Sequence, residues 1–159
     1  MRNSDEEARK IADALESNDI VAEVIKFAAW WESSLDLYLA IEFSGPKRID
    51  DFIELVAPCM SLAQKIDVLK NMKLHKPMKS HSNIVESLSR VRRIRNKLAH
   101  AHRVSDSEIK KIQSDRKLTK FILGYPESFK KERNMLNNSF SHLWRSWEAR
   151  WKKQRAKAT

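Results

Sequence analysis

The chain has 159 residues, 42% of them apolar and 33% charged, with two glycines and four prolines. That length suits one domain with its own core, 1–159, and so few turn formers exclude a fold of many short strands and favour an all-α helical bundle of about five to seven helices. A formal net charge of +10 and a pI near 9.8 favour a polyanionic partner, nucleic acid before an acidic protein or a membrane surface.

Ser4-Asp5-Glu6-Glu7 has the form of a capping box, so a first helix is expected from Ser4 to about Ser17, and 1–18 is read as an N-terminal helical segment. Asn18-Asp19 can stop it and cap a long second helix over 20–43, where Val21, Val24, Ala28, Trp31, Leu35 and Leu39 recur at helical spacing. Ser44-Gly45-Pro46 ends that helix. Asp50 and Asp51 open a short helix over 52–56. Pro58 sits where a helix start tolerates proline, ahead of Met60, Leu62, Ile66 and Leu69. Residues 73–80 are expected as a loop around Pro77. Asn83 and Glu86 suggest a further capping box, followed by a stripe of Ile84, Leu88, Val91, Ile94 and Leu98. Ser105 and Asp106 cap a short helix through Ile112. Residues 117–125 fit either a helix or an extended piece, broken by Gly124 and Pro126. A last helix over 127–155 carries Leu136, Phe140, Leu143, Trp147 and Trp151, and 152–159 is read as a frayed basic tail.

Cys59 is the only cysteine, which excludes an intrachain disulfide and a cysteine-based zinc site. A reducing cytoplasm is the expected compartment, and no metal or cofactor is expected. The first ten residues are charged and lack an apolar core segment, so no signal peptide is expected, and no uncharged apolar run approaches the roughly 18 residues of a membrane span.

The stretch Arg95-Asn96-Lys97-Leu98-Ala99-His100 points most directly to chemistry. Residues on a helix turn by about 100° each, so Arg93, Asn96 and His100 share a face, and the Asn96 amide can orient the imidazole one turn on. Arg95 and His100 diverge by about 140°. They meet only if the helix ends near Ala99 or across a symmetric interface with a second chain. The functional reading uses the 2′-hydroxyl of RNA as nucleophile, a histidine to move protons and an arginine on the phosphate oxygens, with no metal. Arg90, Arg92, Arg93, Lys97 and Arg103 crowd the same segment with no acid over 90–103, which suits a phosphate-binding surface as well as a solvated helix face. The structural reading has Arg95, at the border of the apolar stripe, pairing with Asp36, Glu32 or another acid to hold helices in register.

Arg95-Asn96-x-x-x-His100 resembles the signature of the HEPN superfamily, and Ile94-Arg95-Asn96-Lys97-Leu98-Ala99-His100 is similar to the form found in several of its branches, the mannitol operon repressor family among them. A segment like Met60-Ser61-Leu62-Ala63-Gln64-Lys65-Ile66 precedes the motif there too. The resemblance implies a helical bundle, a homodimer with the motif in a cleft between protomers, and a metal-independent endoribonuclease of toxin–antitoxin, defence or RNA-processing systems. Arg95 and His100 are then catalytic and Asn96 supports them. His102 fits a longer arginine-to-histidine spacing, so which histidine acts stays open. Other HEPN members bind RNA or partner proteins such as an antitoxin without cleavage, and the repressor-like branch is linked to transcription control. The alternative function is therefore a non-catalytic regulator.

His75 and His81 flank a loop with Lys76 and Lys79 but no carboxylate, and are read as solvated loop histidines. Trp30 and Trp31 point to different sides of the second helix, one into the core. Trp144, Trp147 and Trp151 stand among Arg145, Arg150, Lys152 and Lys153. They can stack RNA bases, but packing within the bundle is the simpler expectation, and attachment to a membrane surface is not expected.

Overall fold

Apolar stripes at helical spacing account for the architecture. The computed structural model describes the backbone over residues 2–45, 47–72, 79–100 and 105–158, with the side chains at 2, 3, 18, 97–100, 154, 155, 157 and 158 outside that description. The chain is all-α, 91% helical, with no strand among the described residues. The helices are α1 (Arg2–Glu16), α2 (Asn18–Ser44), α3 (Ile49–Asp51), α4 (Leu62–Asn71), α5 (Lys79–His100), α6 (Asp106–Ser114), α7 (Arg116–Leu123) and α8 (Glu127–Ala158). The expectation of five to seven is exceeded by one among the described residues. The single turn α3 passes into a π-helical turn over Phe52–Val56 and a 3₁₀ turn over Ala57–Cys59 that contains Pro58. The ambiguous segment after Asp115 is helical, because Asp115 caps it and Leu118, Phe121 and Ile122 form a buried stripe.

Two helix starts differ from expectation. Helix α1 begins at Arg2, before Ser4, and α5 begins at Lys79, before Asn83, so neither residue is a cap. The capping boxes that form are at Ser61–Gln64 and Ser105–Glu108, where the serine backbone is extended (ψ 156° and 153°) and its hydroxyl accepts from the third amide of the helix. Replacing Ser105 by alanine is expected to lower stability by about 0.5–2 kcal/mol in urea titrations, and glycine there by much less. Gly45 (φ 70°) ends α2 in the left-handed region that glycine adopts freely. The last helix runs on through Ala158, so the basic residues after Trp151 continue α8 as helix, where a frayed tail was expected.

The contacts cluster into two compact units. The first comprises Met1–Trp30 and Arg90–Arg133, the second Trp31–Ser89 and Asn134–Thr159. In the first, α1 buries Ile11 and Leu15, α6 buries Ile109 and Ile112, and α7 buries Leu118, Phe121 and Ile122. Phe129 is the hub of its aromatic core. Its ring stacks on Phe121 (4.5 Å) and meets the edges of Phe27 (6.0 Å) and Tyr125 (5.3 Å). Gln113 Nε2 donates to the Ser4 carbonyl at 2.9 Å, which ties α6 to α1.

In the second unit Leu35 and Leu39 of α2, Ile66 and Leu69 of α4, Ile84 and Leu88 of α5 and Leu136 and Leu143 of α8 are buried. Trp31 is buried and stacks on Phe140 (5.3 Å, 7° between planes), while Trp30 is 68% exposed. The tryptophans of α8 pack on their own unit. Trp144 meets the edges of Tyr38 and Trp147, and Trp147 stacks on Trp151 at 5.5 Å. Burial and the neighbouring Glu42 carboxylate hold the Tyr38 phenol protonated well above its ordinary range. Arg150 pairs with Glu42. His81 is not a solvated loop residue. It lies in α5, half-buried, with its Nε2 against the Leu69 carbonyl, whereas His75 lies outside the described residues. Among the described residues no helix is long and apolar enough to cross a membrane.

Candidate nucleic-acid and catalytic segment

Ile84, Leu88, Val91 and Ile94 are each at most 1% exposed, and this stripe fixes the rotation of α5. The basic residues of 90–96 are distributed by that rotation. Arg90 is half-buried, pairs with Glu132 Oε1 at 2.5 Å and places its guanidinium 5.7 Å from the Phe121 ring centroid. Arg92 is half-buried, and its Nε is buried without a hydrogen-bond partner. Arg93, on the exposed side, pairs with Asp115 Oδ2. Arg95 and Asn96 are both exposed. The described backbone of α5 is helical up to His100, one residue beyond Ala99, and positions 95 and 100 are about 140° apart on it. The side chains of Lys97 and His100, and all of His102 and Arg103, lie outside the described residues. Of the expected phosphate contacts, Arg90 and Arg93 are thus engaged by carboxylates.

Asp115 does two jobs. Its Oδ1 accepts from the Leu118 amide at 3.1 Å to cap α7, and its other oxygen takes Arg93. The Leu118 N–H first, then the Arg93 guanidinium, hold its carboxyl below the ordinary range. A lowered pKa contributes stability that is complete above the unfolded value near 4 and is lost as pH falls through the folded value. Asp115→Ala is expected to cost about 1 kcal/mol at pH 7 from the cap, and the loss should vanish toward pH 2. Asp115→Asn retains most of the cap. The partly exposed ion pair adds less than about 1 kcal/mol, measured as the difference between the parent chain and Asp115→Asn in denaturant titrations, and the difference between the two variants reads the cap.

The buried cation that sequence spacing does not reveal is Lys65. It is 4% exposed, and its ammonium lies 2.9 Å from Glu32 Oε1, 2.8 Å from Asp36 Oδ1 and 3.0 Å from Asp36 Oδ2. Glu32 and Asp36, expected as partners for Arg95, are both engaged by this lysine. Burial alone would depress Lys65, but the two carboxylates outweigh it and hold its pKa above the ordinary value. Asp36 is raised, because burial and the Glu32 charge outweigh the lysine. The only signal in the sequence is a lysine between Leu62, Ile66 and Leu69, where the apolar stripe leads into the core. Among the described residues no group of three or more histidine, cysteine or acidic side chains is placed to hold a metal ion.

No family model matches the chain, and neither does any curated protein or solved structure.

Proposed function

We propose that this chain is a HEPN-like, metal-independent endoribonuclease that works as a homodimer. The observation that carries this reading is the exposure of Arg95 and Asn96 on the last turns of α5, one turn ahead of His100, in a basic segment without acids. The 2′-oxygen of RNA attacks the adjacent phosphorus while the bond to the 5′-oxygen breaks. The products are a 2′,3′-cyclic phosphate and a 5′-hydroxyl. One proton leaves the 2′-hydroxyl and one reaches the 5′-oxygen. His100 moves one of them, Arg95 stabilises the charge on the phosphate oxygens and Asn96 orients the imidazole. The continuous helix favours a composite site, with Arg95 from one protomer and His100 from its partner.

The test is incubation of the purified chain with RNA in EDTA. Arg95→Ala and His100→Ala are each expected to reduce cleavage by about 10²–10⁴-fold with folding retained, and undiminished cleavage in both would sink the reading. Mixing the two inactive variants and letting subunits exchange is expected to restore about a quarter of the activity, since half the dimers are mixed and each carries one complete site. No restoration would place both residues in one protomer.

The engagement of Arg90 and Arg93 by Glu132 and Asp115 leaves fewer cations for phosphate and favours a second reading, a non-catalytic HEPN-like regulator that binds nucleic acid or a partner protein such as an antitoxin. Salt-sensitive RNA binding without cleavage would select it.

A further inference from the structure

The start of α5 and the middle of α8 line a cavity of about 630 Å³ in the second unit, built from none of the residues of the ribonuclease segment. Lys79, Ser80 and Asn83 come from one helix, and Asn138, His142 and Arg145 from the other. The α8 residues recur at spacings of four and three, so one polar face of that helix is turned to the cavity. Lys79, His142 and Arg145 are exposed, while Ser80 and a second serine, Ser139, are buried in the lining. None of the described lining residues is acidic. The cavity therefore carries two permanent positive charges with amide, hydroxyl and imidazole groups around them, and no carboxylate to neutralise it.

The side chains are organised to address an anion. Ser80 Oγ lies 3.2 Å from His142 Nδ1, which anchors the ring and leaves Nε2 as its other hydrogen-bonding atom. Arg145 Nε donates to the Ser141 carbonyl at 3.3 Å, which leaves the two terminal amino groups of the guanidinium for a bidentate contact. Met135 supplies an apolar wall. The volume lies in the range of small-molecule sites, roughly 300–1,000 Å³, and exceeds what an inorganic oxyanion fills.

We propose that this cavity binds a small organic phosphate, with the dianionic phosphate held between Lys79 and Arg145 and the organic part against Met135. Two fixed cations match a dianion, and amide and imidazole groups suit the remaining phosphate oxygens. A nucleic-acid strand is the other polyanion to consider. A terminal phosphate carries up to two charges and a backbone diester only one, so two cations with no carboxylate beside them favour a ligand with a terminal phosphate.

Calorimetric titration of the full chain with adenosine monophosphate, in EDTA, tests this. Saturable one-to-one binding is expected, displaced by inorganic phosphate. Lys79→Ala and Arg145→Ala should each weaken it by about tenfold, and both positions are exposed, so folding should be retained by circular dichroism. Asn138→Asp, which brings a carboxylate into the lining, should abolish it. Absence of saturable binding at millimolar nucleotide overturns the proposal, and so does affinity unchanged in both cation variants. Binding of an oligonucleotide without terminal phosphates, with adenosine monophosphate ignored, overturns it in favour of a strand. None of these readouts requires cleavage, so they stand apart from the fate of Arg95 and His100.

Discussion

Lys65→Met is expected to destabilise the protein by about 3–5 kcal/mol at pH 7, the cost of removing one partner from a buried ionic group. Methionine keeps most of the aliphatic volume of lysine, so the loss is mainly electrostatic. Lys65 is 5% exposed at its side chain and the two carboxylates 24% and 19%, so water screens them only in part. Without the ammonium, Glu32 and Asp36 lose the cation that bridges them. The pH dependence distinguishes this from a packing defect. Asp36 already binds its proton more tightly in the folded state than in the unfolded one, and losing Lys65 strengthens that preference. The variant should therefore recover stability as pH falls through the carboxylate range. In the parent chain the Lys65 contribution is complete below the ordinary lysine pKa and is lost only as pH rises through its raised value. Urea titrations at pH 7 and pH 5 read the effect. A loss below about 1 kcal/mol, or one equal at both pH values, would contradict it. Replacing all three residues together, by Glu32→Gln, Asp36→Asn and Lys65→Met, should cost less than Lys65→Met alone, since no charge is then stranded.

Phe129→Ala is expected to cost about 3–5 kcal/mol. The ring is 5% exposed and touches three other rings, Phe27, Phe121 and Tyr125, so its removal leaves a cavity walled by aromatic edges that cannot collapse into it. Phe121 also lies beneath Arg90, so the loss should loosen the support of the basic segment. Phe129→Leu fills most of the space and should cost about 1–1.5 kcal/mol. A cost below about 1 kcal/mol for alanine would show that the site repacks.

Helical periodicity made most of the fold legible. The stripes through Leu35 and Leu39, Ile84 to Ile94 and Leu136 to Leu143 lie in the core where spacing placed them. Helix starts were less legible for a physical reason. A serine or asparagine followed by glutamate three residues on can cap a helix, and it can equally stand inside one. Ser105 caps because its own backbone is extended, a condition that Ser4 and Asn83 do not meet and that residue types alone do not specify. The motif on α5 was legible because its members are close in sequence. The ion partners of Arg90 and Arg93 lie 42 and 22 residues away, and those of Lys65 lie 33 and 29 away, beyond any local pattern.

The aromatic ladder on α8 has an optical consequence. Four of the five tryptophans, Trp31, Trp144, Trp147 and Trp151, belong to the second unit, and the fifth, Trp30, is mostly exposed. Changes in intrinsic emission on unfolding therefore follow chiefly the second unit. The closely stacked indoles of Trp147 and Trp151, 5.5 Å apart with their planes 15° from parallel, should couple and give a near-ultraviolet circular dichroism signal that is lost when α8 melts. The first unit, with the basic end of α5, is nearly silent in that channel. Its opening would show as a loss of helical ellipticity with little change in emission.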